Sequence, residues 1–128
     1  MKMIKKMLYL ISLSCFLFVA CEKDDPNAGI VADYEVAVGE DFQIEMNANH
    51  TTGYEWKWTN EASVAIVDTI GWTYESEGGG EMIDGSGGKE IWTFTGISKG
   101  LDTLFFEYCR SWEANSSVDT LQYIVRVK

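Results

Sequence analysis

Polar and apolar residues alternate with a period of two along most of this chain. Phe42, Ile44 and Met46 alternate with Gln43 and Glu45, and Tyr54, Trp56 and Trp58 with Glu55 and Lys57. Leu104, Phe106 and Tyr108 alternate with Phe105 and Glu107, and Leu121, Tyr123, Val125 and Val127 with Gln122, Ile124 and Arg126. Successive side chains of a strand point to opposite faces, so each set predicts a strand with one face turned to a core. Residues 64–70, 72–77 and 89–95 are strand-like in composition but alternate less cleanly. The segments between them are turn clusters, and no stretch carries a convincing helical period. The pattern predicts an all-β domain, an antiparallel β-sandwich of seven to eight short strands.

The first 33 residues read differently. Lys2, Lys5 and Lys6 precede an apolar run, residues 8–20, that is too short to span a bilayer as a helix, which takes about 20 residues. A basic start, a short apolar run and a small residue before the cut describe a secretory leader. Phe18-Val19-Ala20-Cys21 resembles the lipobox of bacterial lipoproteins, with Phe18 where Leu is usual. It implies a signal peptide over residues 1–21 and acylation of Cys21, which anchors the chain because each buried methylene contributes about 0.8 kcal/mol. The expected location is the cell envelope, lipid-anchored to the outer membrane. Lys23-Asp24-Asp25 is either a surface-export signal or a solvating run. Residues 22–33, with Pro26, read as a polar tether, and residues 34–128 as the domain.

Charge and composition then exclude several functions. The formal charge is −10, and three of the ten basic residues lie in the leader. Phosphate backbones and anionic lipid repel such a surface, so no nucleic-acid partner is expected, and membrane contact only through the anchor. There is one histidine, and of three cysteines only Cys109 lies outside the leader. No metal cage, cofactor or internal disulfide is therefore expected. The only nucleophile–base pair, Cys109 with His50, has its cysteine in a strand and its histidine in a loop, so no enzyme is expected either. Glu77, Glu81 and Asp84 match no calcium-loop spacing.

Three connecting segments carry unusual chemistry. Asn49-His50-Thr51-Thr52-Gly53-Tyr54 can form a shaped turn, since Asn and Thr bond back to the backbone and Gly accepts positive φ. Residues 78–88 form a glycine-rich excursion ending Gly85-Ser86-Gly87-Gly88, whose backbone can approach a partner closely. Arg110-Ser111-Trp112 presents two residue types enriched at binding hot spots. Each alone has a plain reading: turn chemistry, a flexible hairpin tip, a tryptophan covering the end of the sandwich.

In order, Asn49-x-Thr51-Thr52-Gly53-Tyr54, Gly85-x-Gly87-Gly88 and Tyr108-x-Arg110-x-Trp112 resemble the motifs of the chagasin-like family of cysteine-peptidase inhibitors. The resemblance extends over residues 34–128. It implies an immunoglobulin-like sandwich whose three loops form a wedge that enters the cleft of papain-like cysteine peptidases and inhibits them reversibly, most simply as a monomer. It further implies that Thr51 and Thr52 approach the catalytic cysteine, with Gly53 turning the chain and Asn49 and Tyr54 bracing it. Gly85, Gly87 and Gly88 would run along the cleft, and Trp112 would lie on an aromatic surface with Arg110 fixing its loop. His50 and Ser111 stand where the family usually has proline, which implies looser first and third loops. The alternative is a surface-anchored immunoglobulin-like module that adheres to a partner or binds glycans through Trp72, Tyr74 or Trp92.

Overall fold

The computed structural model describes residues 25–77 and 87–128. The leader, Cys21, Glu81, Asp84 and Gly85 lie outside the described residues.

Seven strands form two sheets: β1 (Tyr34–Val36), β2 (Asp41–Ala48), β3 (Glu55–Trp58), β4 (Val67–Ser76), β5 (Gly88–Gly96), β6 (Gly100–Cys109) and β7 (Asp119–Val127). One sheet has the order β1-β7-β6-β3 and the other β2-β5-β4. All pairings are antiparallel except β1 with β7, where first and last strands run side by side. That pair departs from a purely antiparallel sandwich: after β1 the chain crosses to the other sheet, and β1 lies at the edge beside β7, running the same way.

The alternating residues fill the space between the sheets. Ile44, Phe94, Leu104 and Val125 are wholly inaccessible, and Phe42, Met46, Trp56, Trp58, Trp92 and Phe106 nearly so. Phe94 sits at the centre, stacked on Phe42 at 5.5 Å between ring centroids and edge-on to Trp58 at 5.2 Å. Aromatic burial of this kind, at roughly 150–250 Å² per ring, holds the sandwich together without a disulfide. Leu121 and Tyr123 are only half-buried, because β1 covers β7 over Val125–Val127 alone.

The segments around residues 64–77 are one strand, not two. A β-bulge between Thr69 and Gly71 shifts the register, so Val67, opposite Gly96, and Trp72, opposite Trp92, share one sheet face despite opposite parity, although Trp72 itself stays exposed. One extra residue flips the alternation downstream, which blurred the pattern in the sequence. Residues 25–33 are held against β7: Asp33 N–H donates to Ile124 O, Ile124 N–H donates to the Asp33 carboxylate, and Arg126 donates to the carbonyls of Asn27 and Ile30.

Candidate functional site

Register alone places the three unusual segments together. The end of β2 pairs with the start of β5 (Ala48 with Gly88), which pairs with the end of β4 (Ser76). In the other sheet the start of β3 pairs with the end of β6 (Glu55 with Cys109), and the start of β7 lies beside it (Asp119 with Tyr108). The β2–β3, β4–β5 and β6–β7 connections therefore all leave from one pole of the sandwich. The other connections lie at the opposite pole.

The β2–β3 loop is a single 3-10 turn, His50–Thr52, which the Asn49 side chain caps by accepting from Thr51 N–H. Thr52 N–H and Oγ1 both donate to Asn49 O, and Gly53 N–H donates to His50 O. Gly53 closes the turn at φ 79°, a left-handed conformation that suits glycine. Below it Asn49 N–H donates to Tyr108 Oη at 2.7 Å and Tyr108 Oη donates back to Asn49 O, tying the loop to the facing sheet.

The β6–β7 loop leans on this turn. Arg110 Nε donates to Thr52 O at 3.3 Å, its guanidinium lies 4.5 Å from the centre of the Tyr54 ring, and it pairs with Glu113. Arg110 N–H donates to Ser116 Oγ, which donates back to Arg110 O and closes the loop on itself. Trp112 is 72% exposed, yet its ring crosses Gly53 so closely that a Cβ there would lie 2.5 Å from it. Two loops nearly sixty residues apart in sequence thus share one surface.

The glycine-rich connection contributes its root. Glu77 N–H donates to Gly87 O, and Gly87 is half-buried beside Asn49. Gly88 differs from the expectation. It is buried as the first residue of β5, and a Cβ would meet Glu75 O at 2.4 Å and the Tyr74 ring at 2.6 Å. Its lack of a side chain serves close strand packing, so it is not open to a partner.

Sequence reasoning missed the centre of this pole. Glu90 on β5 has no accessible surface. Its carboxylate accepts from Trp56 N–H at 2.9 Å, from Trp92 Nε1 at 3.1 Å and from His50 Nε2 at 3.1 Å. A buried charge needs such partners, and three donors from a strand, a core ring and the loop supply them. The His50 ring also stacks flat on Tyr74 at 3.9 Å and stands edge-on to Trp72. Far from loosening the first loop by replacing proline, His50 pins it to the core. The available signal was parity: Glu90, Trp92 and Phe94 alternate in β5, so a carboxylate had to face inward.

The same bonds bear on the other candidates. Trp92 is buried and Tyr74 covers His50, leaving only Trp72 of the proposed adhesion aromatics substantially exposed. His50 Nε2 is committed to Glu90, not to the half-buried Cys109.

Residues 35–127 match the family described as Chagasin family peptidase inhibitor I42. The chain belongs to the chagasin family. It is therefore a member of an inhibitor family and not an enzyme. It is similar to Amoebiasin-1 of Entamoeba histolytica, with 29% identity over 93 residues, covering 73% of this chain and 87% of that protein. Among solved structures it is similar to Amebosin, determined in solution, with a TM-score of 0.57 and 29% identity over 73% of this chain and 86% of the other. The crystal structure of the cysteine protease inhibitor EhICP2 from Entamoeba histolytica shares the fold, with a TM-score of 0.56 at 19% identity, covering 75% of this chain and 88% of that one. The chagasin-family match thus spans all seven strands and the pole where the loops gather.

Proposed function

We propose that this protein inhibits papain-like cysteine peptidases reversibly, by seating its loop-bearing pole in the active-site cleft. The observation that carries the reading is the joining of the first and third loops, Arg110 to Thr52 and Trp112 across Gly53, into one protruding edge. Membership of the chagasin family and the description of EhICP2 as a cysteine protease inhibitor support the target class.

A papain-like cleft is a groove for extended peptide above a thiolate–imidazolium pair. Thr51 and Thr52 approach that pair on a closed 3-10 turn. A peptide bond held by hydrogen bonds from Thr52 and Gly53 N–H is not extended and cannot be drawn into attack geometry. The loop occupies the groove and survives. Because its caps are formed beforehand, little ordering entropy opposes binding. Gly87, at the described root of the second loop, offers bare backbone beside the first, and Trp112 supplies the exposed aromatic anchor for a surface beside the cleft. The purified chain should inhibit a papain-like peptidase, be recovered uncut, and release active enzyme on dilution. Absence of inhibition across a panel of such enzymes contradicts the proposal.

We infer acylation at Cys21 and attachment to the outer membrane. Asp25 lines a shallow depression with Lys99, Gly100 and Lys128, at the pole opposite the loops. Four residue steps separate it from Cys21, at most about 14 Å at full extension. Tethered there, the domain stands with its loops directed away from the bilayer. Mass spectrometry of the membrane-extracted protein tests this: an N-terminal acylated Cys21 is expected, and an unmodified Met1 overturns it.

A further inference from the structure

We propose that Glu90 is a positioning residue for inhibition, fixing the shape of the first loop through His50. The inference rests on the reading of the protein as a peptidase inhibitor and names what sets the geometry of that same edge.

Glu90 lies on the central strand of the β2-β5-β4 sheet, the most firmly held element near the loops, and is wholly inaccessible. One carboxylate oxygen is shared by Trp56 N–H and His50 Nε2. Trp56 opens the inward alternation of β3 just after the loop, and His50 begins the loop's 3-10 turn. A single buried atom thus grips the segment at both of its ends. The other oxygen accepts from Trp92 Nε1, which fixes the rotation of the carboxylate and so the direction in which His50 is held. With both oxygens accepting, the His50 tautomer that serves here carries its proton on Nε2. Tyr74 stacks on one face of the ring and Trp72 meets it edge-on, so the imidazole has no room to leave without vacating a lined slot. Its backbone carbonyl receives Gly53 N–H, the bond that closes the turn under Trp112. The path from Glu90 to the exposed edge is therefore contiguous: carboxylate, imidazole, His50 carbonyl, Gly53, Trp112.

The backbone at this point offers a way to test the path. Asn49 is extended, at φ −130° and ψ 94°, clear of the α region that a following proline disfavours. Position 50 is the first residue of the turn, where a proline's missing N–H costs no helical bond. His50→Pro thus holds the turn by its ring alone and removes the link to Glu90, while the bonds from Glu90 to Trp56 and Trp92 remain.

The experiment is a double-mutant cycle on the full chain, purified in mild detergent, with Glu90→Gln and His50→Pro alone and together. Gln keeps the size of Glu but turns an NH2 group toward one of the three donors. Three quantities are read: the inhibition constant against a papain-like peptidase, amide exchange at Thr52 and Gly53, and the thermal midpoint. Glu90→Gln is expected to raise the inhibition constant about tenfold and to speed exchange at both amides in the His50 protein. In the His50→Pro background its effect on both is much smaller, although it lowers the midpoint in either background. Equal effects of Glu90→Gln in both backgrounds overturn the proposal, because the residue then acts only on stability. Unchanged exchange and inhibition in the His50 protein overturn it too. Should Glu90→Gln not fold, His50→Ala against His50→Pro replaces it: Ala should lose amide protection and Pro retain it, and equal protection in the two overturns the proposal. The exchange readout needs no peptidase. A chain that inhibits nothing but shows the coupled exchange contradicts the inhibitor reading and leaves the Glu90–His50 linkage standing.

Discussion

The two poles of the sandwich are closed by different kinds of bond. At the pole away from the loops many links are backbone to backbone, Gly39 N–H to Gly96 O, Gly96 N–H to Glu40 O, Lys128 N–H to Val36 O and Ile97 N–H to Ile66 O, joined by the Asn60 side chain, which donates to Thr103 O and accepts from Phe105 N–H. Its side-chain links include exposed ion pairs, Glu35 with Arg126 and Lys128. At the loop pole side chains reach across the molecule: Asn49 to Tyr108, His50 to Glu90, Arg110 to Thr52 and Trp112 over Gly53. Backbone links persist through most substitutions, so the first pole depends less on sequence detail. The second has its shape specified residue by residue, by side chains that each hold one part of the loops.

Substitution at each pole tests that contrast, with the largest effect expected at the buried carboxylate. Glu90→Ala leaves Trp56 N–H and Trp92 Nε1 buried without acceptors and should cost about 3–5 kcal/mol, read from urea unfolding. A loss below about 1 kcal/mol would mean the loop pole is not anchored there. Trp112→Ala should raise the inhibition constant at least tenfold, about 1.4 kcal/mol, with the unfolding midpoint nearly unmoved because the ring is 72% exposed. A matched loss of stability would reassign Trp112 from partner contact to fold. Gly53→Ala meets both a φ of 79° and the Trp112 ring, and should cost about 1 kcal/mol of stability. Part of that cost should vanish when Trp112 is also alanine, and if none does, the two loops do not touch as described.

The smallest effect belongs to the opposite pole. Hydrogen bonds from Lys128 and then Arg126 hold the exposed Glu35 carboxyl below its usual range. Its contribution to stability is present above the ordinary glutamate pKa and fades as pH falls through the lowered value. Glu35→Gln should therefore differ slightly from the parent at neutral pH and low salt, and converge with it in acid or at high salt. A large loss at neutral pH would erase the contrast between the poles.

The strands were legible because their physics is local. Phe42 to Met46 and Leu104 to Phe106 announce their inward faces by parity, and the structure buries them as read. Legibility failed where one residue broke the period, at the bulge before Gly71, and where pairing joins the two ends of the domain, at β1 with β7. At the candidate site the residue types of Asn49, Thr51, Thr52, Gly53 and Trp112 were visible, but the contact between Gly53 and Trp112 depends on register between distant strands. Glu90 was hidden by its type. A carboxylate reads as solvent-facing until its three donors are seen, and His50, read as a missing proline, makes sense only beside it.

The account turns on whether this edge covers a catalytic cysteine. The most direct measurement is the rate at which a thiol-directed reagent labels the active-site cysteine of a papain-like peptidase, with and without saturating protein. The account predicts that labelling is suppressed, returns on dilution, and needs at least tenfold more of the Trp112→Ala protein for the same suppression. Labelling at the same rate in the presence of the protein, or steady cleavage of its first loop, would contradict it.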